Sequence, residues 1–314
     1  MFFDAHSDIW TDVTIRRMAG ERRVVERRHL PRLRRGGCEG TVLALWVDQP
    51  HRAAARTEEM LDCLQAEAAE GRAFRIVRTV EEARQARAAG VFYAFLGAEG
   101  LAAIGEDVSH IDRYYNYGVR LAMLTWNEAN ALAAGAVSGE KGGLTEAGRR
   151  AVDRIRELGM VLDVSHLNEA GVREALERYG GPVVASHSNC KALCDVPRNL
   201  TDDQLRAIGA SGGVVGVNVY RRFVSPDPEC QTTEMLALHA AHMAEVMGVE
   251  HVGCGFDFCE FLPGGSPADN LRDLPDCSGA GRFFQCLEKL GMSSRVRDLI
   301  ARGNFLSLLE RVVG

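Results

Sequence analysis

Phe3-Asp4-Ala5-His6-Ser7-Asp8 opens the chain, and three segments of the same kind lie far from it: Gly97-Ala98-Glu99, Asp163-Val164-Ser165-His166 and Ala185-Ser186-His187. Each closes a short apolar run with a side chain that binds divalent cations. A ligand at the end of each of several buried strands is how an α/β barrel gathers distant residues at one mouth. The pattern therefore predicts a single (β/α)8 TIM-like barrel, one metallo-dependent hydrolase domain over residues 1–314, with its metal site at the C-terminal ends of the strands.

Working outward from these segments, eight apolar runs read as buried strands: Phe2–His6, Thr41–Val47, Val91–Gly97, Val119–Thr125, Met160–His166, Pro182–His187, Gly213–Val219 and His251–Phe258. Helix-like stretches separate most of them, at Thr57–Gly71, Thr145–Leu158, Glu169–Tyr179, Thr232–Met247 and Ser293–Arg302. Thr79-Val80-Glu81-Glu82 and Thr201-Asp202-Asp203-Gln204 fit capping boxes that start helices. No linker rich in Pro, Gly or Ser interrupts the alternation, which favours a barrel over a doubly wound sheet.

Composition fits this frame. The chain has 314 residues, 46% of them hydrophobic, and a formal charge of -6, which gives no overall bias toward nucleic acid or anionic membrane. Nine arginines crowd residues 16–35, and without interleaved aromatics they read as a solvated loop rather than a nucleic-acid patch. The amino terminus shows neither a charged leader nor an apolar stretch long enough to cross a bilayer, so a cytoplasmic protein with no membrane partner is expected. Nine cysteines without CxxC spacing read as reduced thiols.

The chemistry sharpens the barrel assignment. His6 and Asp8 stand two residues apart, so in extended geometry both reach one cation, and imidazole with carboxylate suits zinc and similar ions. Glu99 can bridge two metals through its two oxygens, and Gly100 after it leaves room for close backbone approach. With His166 and His187 these five ligands suffice for a binuclear site of two divalent ions, Zn2+ being the expected species. Asp257, at the end of the eighth strand, is placed to move a proton. His239 and His242 share a helix face and stay outside the site, and Lys141, Lys191 and Lys289 lie away from strand ends, which argues against a carbamylated bridge.

As an ordered set, Asp4-Ala5-His6-Ser7-Asp8, Leu30-Pro31-Arg32-Leu33-Arg34-Arg35-Gly36-Gly37, Ala98-Glu99-Gly100, Asp163-Val164-Ser165-His166, Ser186-His187-Ser188, Pro197-Arg198-Asn199 and Gly303-Asn304-Phe305-Leu306 resemble the membrane dipeptidase (renal dipeptidase-like) family of zinc peptidases, in the amidohydrolase superfamily. The resemblance implies His6 and Asp8 on one zinc, Glu99 bridging, and His166 and His187 on the second. It further implies Asp257 as the proton-transfer residue and Arg198 as the partner of the substrate's terminal carboxylate, a role suited to a guanidinium fork.

Two positions depart from the family pattern. Trp126, in Leu124-Thr125-Trp126-Asn127, stands where family members often carry a histidine; either its indole N–H, Asn127 or the metal itself is then expected to stabilise the developing oxyanion, or the preferred substrate differs. Phe258-Cys259-Glu260 follows Asp257 where a glycine is common. The expected activity is hydrolysis of a small dipeptide by a metal-activated hydroxide, with a D-residue accepted at the C-terminal position as the family implies. A non-peptide amide or lactone substrate, or a metal-binding protein that has lost catalysis, are the competing readings, and a homodimer is compatible with all three.

Overall fold

The computed structural model describes residues 1–314. Nine strands form one parallel sheet: β1 (Phe2–Ser7), β2 (Cys38–Trp46), β3 (Phe74–Ile76), β4 (Phe92–Glu99), β5 (Val119–Met123), β6 (Val161–Asp163), β7 (Val184–Ala185), β8 (Val214–Val217) and β9 (Val252–Cys254). Eight of them run in the order β1-β2-β4-β5-β6-β7-β8-β9 and curl into a nearly closed barrel, while β3 pairs with β4 off this path. Parallel neighbours need crossover connections, and the helices that supply them form the outer layer, as in a TIM-like (β/α)8 barrel.

Two apolar clusters follow from the strand alternation. Phe3, Tyr93, Phe95, Val161, Val184 and Val214 fill the barrel, and Phe305, Leu308 and Leu309 of the C-terminal helix Asn304–Val313 join them. Because Val161, Val184 and Val214 are the first residues of their strands, that helix closes the end at which strands begin. Only the opposite end can be a mouth. The larger cluster lies between the sheet and the surrounding helices and includes Trp10, Leu45, Met60, Ile155 and Met243.

The barrel's seam is held differently from its other joints. No ladder joins β1 to β9; instead Oδ1 of buried Asp4 accepts the Phe256 N–H at 2.8 Å and the His6 N–H at 3.4 Å. One carboxylate oxygen thus ties the first strand to the backbone just before Asp257.

Several expectations are corrected. The strands expected at Met160–His166 and Pro182–His187 are shorter, because Oδ1 of Asp163 takes the N–H groups of Ser165 and Ser186, at 3.0 and 3.1 Å, in place of ladder bonds; the one expected at His251–Phe258 ends at Cys254, and its Phe256 N–H goes to Asp4. The arginine-rich segment is helical rather than a loop, with helices Ile9–Met18 and Leu30–Gly36 around a π-helical turn at Val25–His29. Part of its charge is paired, Arg17 donating to Glu67 and Glu70 at 2.6 and 2.8 Å and Arg16 to Asp12 at 2.8 Å, while Arg22, Arg23, Arg27, Arg28, Arg34 and Arg35 stay exposed, as expected of a solvated segment. The glutamates come from helix Ala53–Glu70, a pairing invisible in the local sequence. Thr201 and Gln204 form the full capping box. Thr79 caps Glu82, but the Glu82 carboxylate accepts from Arg78 N–H at 2.6 Å instead of closing the box. All nine cysteines are free, and no helix is long and apolar enough to cross a membrane.

Asp4→Ala leaves two buried N–H groups without an acceptor, so it is expected to lower stability by about 2–6 kcal/mol in urea unfolding, at about one to three per group. Asp4→Asn keeps an oxygen acceptor and should lose less; equal losses for the two variants would show that the seam does not rest on this oxygen.

Candidate metal centre

Glu99 ends β4, opposite Trp46 of β2 and Met123 of β5. It has the same alternation as Tyr93 and Phe95, so its carboxylate points into the barrel. Gly100 follows with φ +87°, and a Cβ there would lie 3.1 Å from the Trp126 nitrogen, the close approach expected of this glycine. Strict alternation from Phe3 and Ala5, both inside, would send His6 outward. The irregular pairing between Asp4 and Ser7 reverses this, and His6 Nε2 comes to 3.3 Å from Glu99 Oε2, 3.7 Å from Asp8 Oδ1 and 3.8 Å from Asp257 Oδ1.

The other oxygen of Glu99 faces a second group. Oε1 lies 2.9 Å from His166 Nε2 and 3.8 Å from His187 Nε2, and the two Nε2 atoms are 2.8 Å apart. The far nitrogens of these rings are held from behind: His166 Nδ1 by Asn127 Oδ1 at 2.9 Å, His187 Nδ1 by Ser186 Oγ at 2.8 Å. A ring that donates from Nδ1 presents its Nε2 lone pair to the centre, as metal-ligating histidines do. His166 stands beyond its strand at φ +70°, in the left-handed region. His187 is reached through Gly255, whose Cβ, were there one, would meet Ser186 O at 1.6 Å.

Asp257 also has a left-handed backbone, φ +59°. Its Oδ2 accepts from Asn218 Nδ2 at 2.9 Å, and Asn218 is fixed in turn because its Oδ1 accepts Tyr220 N–H at 2.6 Å. Arg198 is buried, donating to His187 O at 3.3 Å and Ser188 Oγ at 3.4 Å, with Nε unpartnered and no carboxylate in salt-bridge range. Burial pushes its guanidinium down to about 10. A buried guanidinium without an anion is costly to maintain.

Electrostatics divide the cluster. Burial, with the Asp8 charge next among the raising causes, pushes Glu99 up to about 8, and burial pushes Asp257 up to about 7. Burial opposes protonation of His6, yet the carboxylates of Glu99, Asp8 and Asp257 outweigh it and hold that ring well above the ordinary imidazole value. His166 and His187 lie well below it, through burial and then the positive charges of Arg198 and His6.

The residues fit a metal. Both nitrogens of His6, Oδ1 of Asp8 and Oε2 of Glu99 are buried without hydrogen-bond partners, and buried orphans of this kind cost about 1–3 kcal/mol each unless something satisfies them. His6, Glu99 and His187, and separately His6, Asp8 and Asp257, bring ligand atoms within 4.8 Å of one another. All five expected ligands and Asp257 therefore meet at one place. Asp257 approaches His6 about as closely as Asp8 does, at 3.8 against 3.7 Å. Asn218 and Ser186 were missed, and Asp163 was given no role; Asn218 closes the apolar run Gly213–Val219, so the strand-end rule that found the histidines would have found it.

These groups line a mouth of about 680 Å³, shared by Asp8, Glu99, His166, Arg198, Asp257 and Trp126. Trp126 lies at its edge, with its ring 5.6 Å from Trp46 and 6.1 Å from His166. Asn127 also lines the mouth.

The profile of the membrane dipeptidase family (peptidase family M19) matches residues 1–313. An uncharacterised dipeptidase of Schizosaccharomyces pombe is 35% identical over 67% of this chain, a match that spans about half (51%) of that relative's length. A solved metallopeptidase of family M19, dipeptidase AC, superposes with TM-score 0.89 at 28% identity over 100% of this chain and 98% of its own. A Rhodobacter sphaeroides metallopeptidase, liganded with a phosphinate mimic of L-Ala-D-Ala, superposes with TM-score 0.88 at 27% identity over 99% of both chains. The chain belongs to the membrane dipeptidase family.

Ligand-linked stabilisation gives a test of the fit. A divalent ion at a thousandfold excess over its Kd should stabilise the fold by about 4 kcal/mol, a Tm rise on the order of 5–10 °C, and Glu99→Gln should remove most of that rise. A rise unchanged in Glu99→Gln would place the ion elsewhere.

Proposed function

We propose that this member of the membrane dipeptidase family is a metal-dependent dipeptidase with two zinc ions in its mouth. One would be held by His6 and Asp8, the other by His166 and His187, with Glu99 between them. The observation that carries the reading is the split of Glu99: Oε2 turns to His6 and Oε1 to His166, at 3.3 and 2.9 Å. When bound, such ions polarise an amide carbonyl and activate water at neutral pH.

The chain's own residues supply the rest. Arg198 receives the terminal carboxylate, which gives its buried guanidinium the anion it lacks. Asn127 and Ser186 fix the ring planes of His166 and His187. Asp257 sits 3.8 Å from His6 Nε2 on the open side, with one oxygen anchored by Asn218 and the other free to take a proton and return it to the leaving amine. Trp126 can offer only an indole N–H to the carbonyl oxygen, so it stabilises charge as a neutral donor. Acceptance of a D-residue at the second position is supported by the L-Ala-D-Ala mimic in the Rhodobacter relative.

Zinc-loaded protein assayed against L,L and L,D dipeptides and a set of lactones tests this directly; turnover of lactones with no dipeptide cleaved would reject the reading. Asp257→Asn, which tolerates the left-handed backbone, should lower kcat by about 10²–10⁴ with little change in KM. Arg198→Ala should raise KM for dipeptides while leaving the already poor KM of the matching dipeptide amides unaltered; equal effects on acid and amide would remove the carboxylate from Arg198.

A further inference from the structure

We propose that a side cavity walled by Trp46 and Trp126 receives the side chain of the substrate's first residue and selects dipeptides that begin with an aromatic residue. The inference rests on the dipeptidase reading and assigns it a substrate class. The cavity holds about 400 Å³ and shares Trp46, Trp126 and Glu99 with the mouth, so it opens beside Glu99. Arg198 lines the mouth but not this cavity. A dipeptide with its carboxylate at Arg198 and its amide over Glu99 therefore directs its first residue here.

The walls decide what fits. Trp46 ends β2 directly opposite Glu99, and its carbonyl is pinned by the Thr11 hydroxyl at 2.8 Å. Trp126 is brought in by the Gly100 backbone, on which a Cβ would meet the Trp126 nitrogen at 3.1 Å. The two indoles are tilted at 52°, centroids 5.6 Å apart, a geometry suited to edge and face contacts with a third ring. Pro50, Ala53 and Ala103 complete the lining with small apolar groups, and their size leaves the volume.

Charge argues against a cationic occupant. Asp48 lines the cavity, but both of its oxygens are engaged by Arg56, at 2.7 and 3.1 Å. Glu128, the carboxylate left besides Glu99, is exposed at the rim. An ammonium brought against the indoles would lose water with Asp48 already paired to Arg56 and the Glu99 oxygens turned to His6 and His166, whereas an aromatic ring gains apolar contact over the whole cavity.

The test compares zinc-loaded wild type and Ala103→Leu on dipeptides that share a second residue and begin with Phe, Ala or Lys. Wild type should favour the Phe dipeptide over both others by roughly 10–100-fold in kcat/KM. Ala103→Leu, which fills the cavity at a half-buried position, should collapse the Phe-to-Ala ratio by about tenfold or more. A phosphinate mimic of the Phe dipeptide should also change the intrinsic fluorescence, since two of the three tryptophans flank the cavity while Trp10 is fully buried. Equal or better turnover of the Ala or Lys dipeptide, or a Phe-to-Ala ratio unmoved by Ala103→Leu, overturns the inference and leaves the dipeptidase reading intact. Hydrolysis of no dipeptide rejects both.

Discussion

The mouth depends on one carboxylate oxygen. A parallel barrel closes when its last strand pairs with its first, yet β1 and β9 share no ladder, and Asp4 Oδ1 bridges them through the Phe256 and His6 amides. These two amides belong to the residue before Asp257 and to His6 itself. The same contact that closes the seam therefore sets the 3.8 Å separation between the Asp257 carboxylate and the His6 ring. Closure and site geometry are one constraint.

Around that constraint the fold keeps several groups in states it would not choose for stability alone. His166 and Asp257 occupy left-handed backbone, at φ +70° and +59°, which costs on the order of 1–3 kcal/mol for a non-glycine residue. Four ligand atoms are buried without partners, and Arg198 is buried without an anion. Each condition is unfavourable alone, and all gather at the mouth: Asp8, Glu99, His166, Arg198 and Asp257 line it, and His6 lies against Asp8, Glu99 and Asp257. The common remedy is a pair of ligands of opposite sign: cations among the carboxylates and imidazoles, an anion at Arg198. A dipeptide carboxylate and divalent ions, bound as proposed, would meet those needs together.

Much of this was legible in the sequence because strand ends leave a local mark, an apolar run followed by a polar ligand. His6, Asp8, Glu99, His166, His187 and Asp257 all carry it, and all converge. What the sequence hid was set by contacts across the chain. The pairing shift between Asp4 and Ser7 that turns His6 inward is a property of two strands, not one. The Asp163 side chain that ends β6 and β7 early acts across 23 residues on Ser186. Among the arginines of residues 16–35, Arg17 looked solvated like its neighbours because its acids, Glu67 and Glu70, stand about 50 residues away in another helix. Short β3 has only three residues and no periodicity to read.

The arginine-rich segment also accounts for the departure after Asp257. Where a glycine commonly eases the turn, Phe258 is buried here against Phe256, ring centroids 5.7 Å apart, and the loop is held by side chains instead. Glu260 accepts from Arg32 at 2.7 Å and from Asn270 at 3.2 Å, and the Arg32 guanidinium lies 4.9 Å over the Phe261 ring. Arg32 also donates to His29 Nδ1 at 2.9 Å, which leaves His29 Nε2 to donate to Asp12 Oδ2 at 2.7 Å. Asp12 lies in the first turns of the helix that begins after Asp8. The chain of contacts Asp12, His29, Arg32, Glu260 thus joins the loops carrying Asp8 and Asp257 on the outside of the seam, as Asp4 joins their strands within it. Two independent ties bracket Asp257, and this is how a turn with Phe258 in place of a glycine can hold a strained aspartate in one conformation.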